Sequence, residues 1–305
     1  MEKQVIGKSH LIASRIVLGC MRIGALSATE LEKLIFAALK LGINHFDHGD
    51  IYGAGKNESL FGEVLKRNLD LRTKMIIQSK AGIRKGFYDN SKTYLLESVD
   101  KILARLNTDY LDIFLVHRPD ALLDLKELAE TVNTLIKDKK IRYFGVSNMN
   151  SMQIELIQKY INAPIITNQM QLSLVHSLII DSGINVNMKN EFAANTDGSI
   201  IDYARLNNIT LQAWSPLQAS WEEGTFLENP SYEKLNDELS LLSEKYNVTK
   251  AAIAVAWILR HPAKIQAIVG TKSIKHLKEI SMATKVNLDR SEWYRLYLAS
   301  GKVLP

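Results

Sequence analysis

Cysteine is almost absent from this chain, and long apolar runs are absent altogether. The single Cys20 cannot form a disulfide within the chain. No apolar run approaches the roughly 18 to 20 residues that cross a membrane, and the start MEKQVIGKSH lacks the apolar core of a signal peptide. These absences predict a cytoplasmic protein that does not insert into a membrane.

Charge of one sign is not concentrated anywhere either. The chain has 38 Lys and Arg against 33 Asp and Glu, a formal charge of +5, and the two signs are interspersed. This pattern argues against a nucleic-acid partner. The modest positive field suits an anionic ligand such as a phosphorylated cofactor, although an ordinary basic protein has the same balance.

Short β-rich runs alternate with helical patterns eight times along the 305 residues. The runs lie at residues 15–18, 45–47, 75–78, 111–116, 142–146, 165–168, 210–214 and 267–269. No linker or break in composition interrupts them, which favours one closed barrel over two doubly wound halves. We therefore predict an α/β fold, a single (β/α)8 TIM barrel over residues 1–305, with extra helices at residues 232–247 and 290–300.

Four polar residues lie at or just beyond the ends of successive predicted strands. Asp47 ends the second strand, Lys80 follows the third and His117 follows the fourth, while Tyr52 lies in the loop after the second. A Lys beside an Asp is usually only an ion pair. In a parallel barrel, however, the carboxyl ends of all strands share one face, so these four side chains are expected to converge at a catalytic site.

Such a set supports a specific proton transfer. A free tyrosine has a pKa near about 10 and is a weak acid at neutral pH. A nearby Lys80 cation and a hydrogen bond from His117 stabilise its phenolate, and Asp47 holds Lys80 in place. The phenol can then protonate a developing alkoxide, as carbonyl reduction by hydride requires. No side chain supplies a hydride, so a nicotinamide cofactor is expected.

The remaining strand ends carry groups that suit a nicotinamide. The fifth strand closes with Ser147 and Asn148 and the sixth with Gln169, which are hydroxyl and amide groups suited to a carboxamide. The seventh ends at Trp214, whose flat apolar face can stack on the ring, and Ser215 and Leu217 follow it. Trp214 in the barrel core is the competing interpretation.

The chain resembles the aldo-keto reductases nearly from end to end, in the segments LGCMRIG, DHGDIYG, QSK, LVHRPD, FGVSN, TNQ, AWSPL and VGTKS. The resemblance implies a (β/α)8 barrel with NADPH across its mouth and no glycine-rich Rossmann loop. GAGKNE, which begins at Gly53, indeed lacks the third glycine of that fingerprint. It also implies reduction of a small-molecule aldehyde or ketone, by a monomer or weak homo-oligomer.

The resemblance assigns a role to each site residue. Tyr52 becomes the proton donor, supported by Asp47, Lys80 and His117. The cofactor residues are Ser147, Asn148 and Gln169 for the carboxamide, Trp214 for the ring, Ser215 and Leu217 for the pyrophosphate, and Lys272 and Ser273, after Gly270, for the adenosine 2′-phosphate.

Several positions depart from the family pattern. His48 replaces a small polar residue and, by strand alternation, points away from the face of Asp47, so we interpret it as structural. At the adenine end, His276 and Ile280 stand where an Arg and an Asn are usual, which leaves the 2′-phosphate to Lys272, alone or with Lys275. We predict NADPH as the preferred cofactor over NADH.

Two other classes compete with a reductase. A barrel metal hydrolase could use His45, Asp47 and His48, but the alternation of a strand separates His48 from the other two. We therefore predict no metal. A non-catalytic nicotinamide sensor is the second alternative, and the complete set of four polar residues favours an enzyme over it.

Three loops after strands predict an apolar, partly aromatic substrate pocket. They carry Phe87 and Tyr88, the segment PDALLD, and Trp221 with Phe226. Residues 172–199 form an unusually long connection, which is either a lid or a surface excursion. The short tail after the last helix predicts an open site.

Overall fold

The computed structural model describes residues 1–184 and 199–302. Its strands are β1 (Lys3–Val5), β2 (Ile12–Ser14), β3 (Ile16–Gly19), β4 (His45–Asp47), β5 (Ile76–Ala81), β6 (Ile83–Arg84), β7 (Phe87–Tyr88), β8 (Leu111–Val116), β9 (Ile141–Ser147), β10 (Ile165–Gln171), β11 (Thr210–Trp214), β12 (Gln218–Ser220), β13 (Gly224–Thr225) and β14 (Gln266–Val269).

Eight of these strands close into a parallel barrel. They are hydrogen-bonded in the order β10-β11-β14-β3-β4-β5-β8-β9, and β9 pairs back with β10. The predicted TIM barrel is confirmed, and each predicted strand coincides with one of the eight. The short hairpins β1-β2, β6-β7 and β12-β13 were not predicted.

The helices are α1 (Ala28–Lys40), α2 (Lys56–Arg67), α3 (Lys92–Leu106), α4 (Leu125–Lys137), α5 (Ser151–Tyr160), α6 (Leu178–Ile184), α7 (Ile200–Asn207), α8 (Glu233–Tyr246), α9 (Lys250–Leu259), α10 (Ile274–Ser281) and α11 (Arg290–Ala299). Short 3₁₀ turns lie at Ile23–Ala25, Tyr52–Gly55, Leu69–Lys74, Pro230–Tyr232 and Met282–Lys285. In the part of the chain that the structure describes, none of the helices combines the length and apolar composition of a membrane span.

Local sequence signals set where several helices begin. Ser27 and Glu30 form a capping box at the start of α1, each side chain bonding the other's backbone N–H. Asp289 and Glu292 form the same motif at α11. Glu292 also accepts hydrogen bonds from Lys245 at 2.5 Å and from Tyr246 at 2.7 Å, both on α8. The two predicted extra helices, α8 and α11, are therefore packed together.

The β1-β2 hairpin closes the amino-terminal end of the barrel. Ile6 and Ala13 are fully buried and pack with Ile113 and Ile166 of the barrel strands. Gly7 adopts a left-handed φ of +47°, and a Cβ there would lie 2.3 Å from the carbonyl oxygen of Ile166. With this end covered, the open mouth of the barrel lies at the carboxyl ends of the strands.

Candidate active site

Asp47, Tyr52, Lys80 and His117, hereafter the tetrad, lie at the carboxyl-terminal mouth of the barrel. Asp47 is the last residue of β4, Lys80 lies in β5 and His117 directly follows β8. The Nζ of Lys80 is 2.8 Å from both carboxylate oxygens of Asp47 and 2.7 Å from the carbonyl oxygen of His48. These acceptors fix the position of the buried ammonium group.

Tyr52 stands next to this ion pair. Its ring centroid is 5.0 Å from the Nζ of Lys80 and 6.2 Å from the ring of His117, which it meets edge-on at 84°. Gly49 makes the placement possible, since a Cβ there would approach the Cζ of Tyr52 to 3.1 Å. The predicted convergence of the four side chains is thus found in the structure.

Burial and charge together set the protonation states of the tetrad. Burial alone would raise the pKa of Asp47, but the charge of Lys80 and hydrogen bonds from Lys80, Gln78 and Gln169 hold that pKa below its ordinary value. Burial alone would lower the pKa of Lys80, yet the Asp47 charge and Tyr52 keep it raised. The two groups therefore form a charged pair inside the protein.

The phenol and the imidazole are both neutral at pH 7. Burial raises the pKa of Tyr52 above its ordinary value, and the Lys80 charge offsets only part of this rise. Burial, then the Lys80 charge, lowers the pKa of His117 to about 3. The sequence predicts that Lys80 makes the phenol more acidic. Its charge acts in that direction, but burial outweighs it, so Tyr52 holds its proton at neutral pH.

A cleft of about 930 Å³ opens above the tetrad. It runs from Tyr52 and His117, past Trp214, to the residues at the start of α10. Seven of the predicted cofactor residues line it: Ser147, Asn148, Gln169, Trp214, Ser215, Leu217 and Gly270. A concave cleft with a predominantly apolar lining and a few convergent polar groups is the usual form of a cofactor site.

The polar groups midway along the cleft are hydrogen-bonded to one another. Trp214 Nε1 donates to Asn148 Oδ1 at 3.3 Å, and Asn148 Nδ2 donates to Ser147 Oγ at 2.8 Å. Ser147 Oγ in turn donates to the backbone oxygen of Gln169 at 3.0 Å. Asn148 and Ser215 both adopt left-handed φ angles, of 57° and 52°. Trp214 therefore lies on the cleft wall, held by Asn148, rather than in the barrel core.

Gln169 makes a contact that the sequence did not indicate. Its Nε2 donates to Asp47 Oδ1 at 3.0 Å, from a residue 122 positions away in the chain. Gln78 Nε2 donates to the same oxygen at 2.7 Å, and Gln78 was not predicted as a site residue at all. Gln78 and Gln169 both lie at or after the end of an apolar run. A local sequence pattern, however, carries no information on which side chains touch across the barrel.

Lys272 and Ser273 are not among the residues that line the cleft. Ser273 caps α10 by accepting a hydrogen bond from the backbone N–H of His276, and Lys272 is exposed. Their neighbours Thr271 and His276 do line the cleft. The predicted phosphate residues thus lie at the rim of its far end, beside the N-terminus of an eight-residue helix.

Other lining residues were not predicted. They include Met21, Arg22, Arg118, Lys250 and Glu279. Among the aromatic residues expected in the pocket, Trp221 lines the cleft, whereas Phe226 is fully buried. Phe87 and Tyr88 form β7 and are about half exposed, away from the cleft lining.

His45 and His48 lie on different sides of β4. His48 packs edge-on against Phe61 of α2, with ring centroids 4.5 Å apart, in agreement with its predicted orientation. His45 Nδ1 lies 3.4 Å from Gln266 Nε2 inside the barrel. Within residues 1–184 and 199–302, no group of three or more His, Cys, Asp or Glu side chains is arranged to hold a metal ion.

The long connection after β10 is only partly described. Leu172 and Leu174 are fully buried, and α6 follows them. The rest of the expected lid or excursion, residues 185–198, lies outside the described residues, as does the tail at 303–305.

Comparisons with known proteins agree on one family. The model of the Aldo/keto reductase family matches residues 15–297. A 6-dehydroglucose reductase from Agrobacterium fabrum is 32% identical over 303 residues, which cover 95% of each chain. Oxidoreductase YdhF from Escherichia coli is 32% identical over 298 residues, covering 94% of this chain and 93% of its own.

A solved structure shares the fold. The crystal structure of a thermostable aldo-keto reductase in complex with the inhibitor epalrestat matches with a TM-score of 0.78 and 25% sequence identity. The match covers 98% of this chain and 100% of the other.

Proposed function

This chain belongs to the aldo/keto reductase family of oxidoreductases, and we propose on that premise that it reduces an aldehyde or ketone to an alcohol with NADPH. The observation that carries the proposal is the tetrad at the cleft. A protonated Tyr52 lies beside a buried ammonium, Lys80, whose position is fixed by Asp47. This is the arrangement that a proton donor to a carbonyl oxygen needs.

A bound nicotinamide supplies the hydride. The task of the protein is to deliver a proton to the carbonyl oxygen as negative charge develops there. Tyr52 gives up its hydroxyl proton to that oxygen, and the Lys80 charge stabilises the phenolate that results. His117 is neutral, so its imidazole can donate one hydrogen bond to the carbonyl oxygen without competing for the proton.

The cleft has the groups that a nicotinamide dinucleotide requires. Ser147, Asn148 and Gln169 offer hydrogen bonds to the carboxamide, and the indole of Trp214 offers an apolar face to the ring. We assign Ser215 and Leu217 to the pyrophosphate and Gly270 to the cofactor at the far end of the cleft. Lys272 and Ser273, at the rim of that end, are assigned to the phosphate on the adenosine. The last assignment makes NADPH the preferred cofactor, because Lys272 is an exposed cation beside the far end of the cleft.

The test is oxidation of NADPH, followed by absorbance, with a panel of reactive aldehydes and ketones. The panel includes 6-dehydroglucose, because a relative that is 32% identical is named for its reduction. We expect turnover with at least one carbonyl. A flat trace across the panel, with NADPH binding intact, contradicts the proposal and favours a nicotinamide-binding sensor.

A further inference from the structure

Three glutamine side chains form a hydrogen-bonded row inside the barrel. Gln78 of β5, Gln212 of β11 and Gln266 of β14 are all fully buried. Gln78 Nε2 donates to Gln212 Oε1 at 2.9 Å, Gln212 Nε2 donates to Gln266 Oε1 at 2.9 Å, and Gln266 Nε2 donates to the backbone oxygen of Ser14 at 2.9 Å. The row crosses from β5 to β11, which are not neighbours in the barrel.

Burial of three polar amides in a barrel interior carries a desolvation cost. Branched apolar residues usually fill a barrel interior, and a buried amide is tolerated only when it is hydrogen-bonded. Here both amide hydrogens of Gln78 have acceptors, since its Nε2 also donates to Asp47 Oδ1 at 2.7 Å. The Gln78 Nε2 is therefore held from two sides, while its Oε1 has no hydrogen-bond partner among the described residues.

Gln78 contacts the tetrad from inside the barrel and not from the cleft. It pairs with Asp47 in the register of β4 and β5, and it is not among the residues that line the cleft. It therefore cannot touch a substrate or cofactor there. Its contact is with the one carboxylate oxygen that also accepts from Lys80 and Gln169.

We propose that Gln78 is a positioning residue for the reaction: it fixes the rotation of the Asp47 carboxylate so that both oxygens stay in contact with Lys80. A hydrogen bond to an ionised acceptor is short, strong and directional. Gln212 holds the Gln78 amide in turn. The inference rests on the proposed carbonyl reduction, in which Lys80 must stay near the phenol of Tyr52.

The deciding variant is Gln78→Met, which keeps the volume and length of the side chain but removes the donor. The Asp47 carboxylate then turns more freely, Lys80 is held less firmly, and proton delivery slows. We expect kcat to fall about 10-fold to 100-fold, the range for loss of a hydrogen bond to a charged group. The kinetic isotope effect with NADPH deuterated at C4 rises, because chemistry becomes rate-limiting. The Kd for NADPH stays within about twofold, since Gln78 does not line the cleft.

Gln266→Met is the matched control. Gln266 is the same residue type, equally buried and in the same row, but it contacts neither Asp47 nor the cleft. We expect it to lower thermal stability to a similar extent while leaving kcat and the isotope effect unchanged. Gln78→Asn, which keeps the amide but shortens its reach, replaces Gln78→Met if that variant does not fold.

The outcomes separate the two hypotheses. If the wild-type protein reduces no carbonyl, the proposed function fails before Gln78 is tested. If the wild-type protein is active and the Gln78 variant keeps its kcat and isotope effect, the positioning role is wrong. Equal loss of kcat in the Gln78 and Gln266 variants overturns it as well, because the row would then act only through stability.

Discussion

The Lys80 ammonium lies 2.8 Å from each carboxylate oxygen of Asp47, and both side chains are almost completely buried. A buried ion pair is not by itself a gain in stability, because desolvation of the two charges offsets their attraction. Its value here is positional, since the pair sets a fixed positive charge beside the ring of Tyr52.

Replacement of Tyr52 by Phe removes the proposed proton donor and keeps the ring. We expect turnover of an aldehyde to fall by about 10²-fold to 10⁴-fold, the usual contribution of a general acid. The affinity for NADPH, measured by quenching of protein fluorescence, should remain. Near wild-type turnover in this variant would show that another group donates the proton.

Lys80→Met should lower turnover to a similar extent and should also destabilise the fold. Removal of the cation leaves the Asp47 charge buried without its partner, a loss of about 3–5 kcal/mol in the free energy of unfolding. The double variant Lys80→Met/Asp47→Asn removes both charges. It should recover much of the stability in a denaturant titration but none of the activity, which separates the two effects.

NADPH should have a lower KM than NADH, because Lys272 offers a cation to the 2′-phosphate. Lys272→Met should raise the KM for NADPH about 10-fold, at the lower end for a charge-assisted hydrogen bond, and leave the KM for NADH unchanged. Lys278→Met, which removes an exposed charge from α10, the helix that begins two residues after Lys272, is the control. Equal or better use of NADH by the wild-type protein would make the cofactor assignment wrong.

Asp50 predicts a dependence of stability on pH. Burial raises the pKa of its carboxyl group from 3.8 to about 6, against the hydrogen bond from Tyr94 at 3.2 Å. The folded state therefore holds this proton more tightly than the unfolded state, so the contribution of Asp50 to stability falls as pH rises from about 4 to about 6. Above that range the buried charge of Asp50 lowers the free energy of unfolding by up to about 3 kcal/mol.

Asp50→Asn removes that cost while keeping a side chain of the same shape. We expect the variant to be more stable than the wild type at pH 8 and equally stable near pH 4, by urea denaturation at each pH. Asp109→Asn, at an exposed position, controls for the general loss of a carboxylate. A stability difference that does not change with pH would refute this role of Asp50.

The sequence determined the fold and the location of the tetrad. Runs such as LDIFLV and IRYFGVS carry their strand character in residues that lie next to one another, and Ser27 with Glu30 specifies a helix start within four positions. Parallel strands necessarily share a carboxyl end. Asp47, Lys80 and His117 could therefore be placed on one face without knowledge of any side-chain conformation.

Only the tertiary structure decided which side chains touch inside that frame. Gln78 and Gln212 are 134 positions apart, and Gln169 and Asp47 are 122 apart, yet each pair is hydrogen-bonded across the barrel. Closure of the barrel brings these amides together. Burial then raises the pKa of Tyr52, and the charge of Lys80 offsets only part of that rise. Neither effect leaves a local pattern in the chain, because contact across a barrel and exclusion of water depend on strands that lie far apart in sequence.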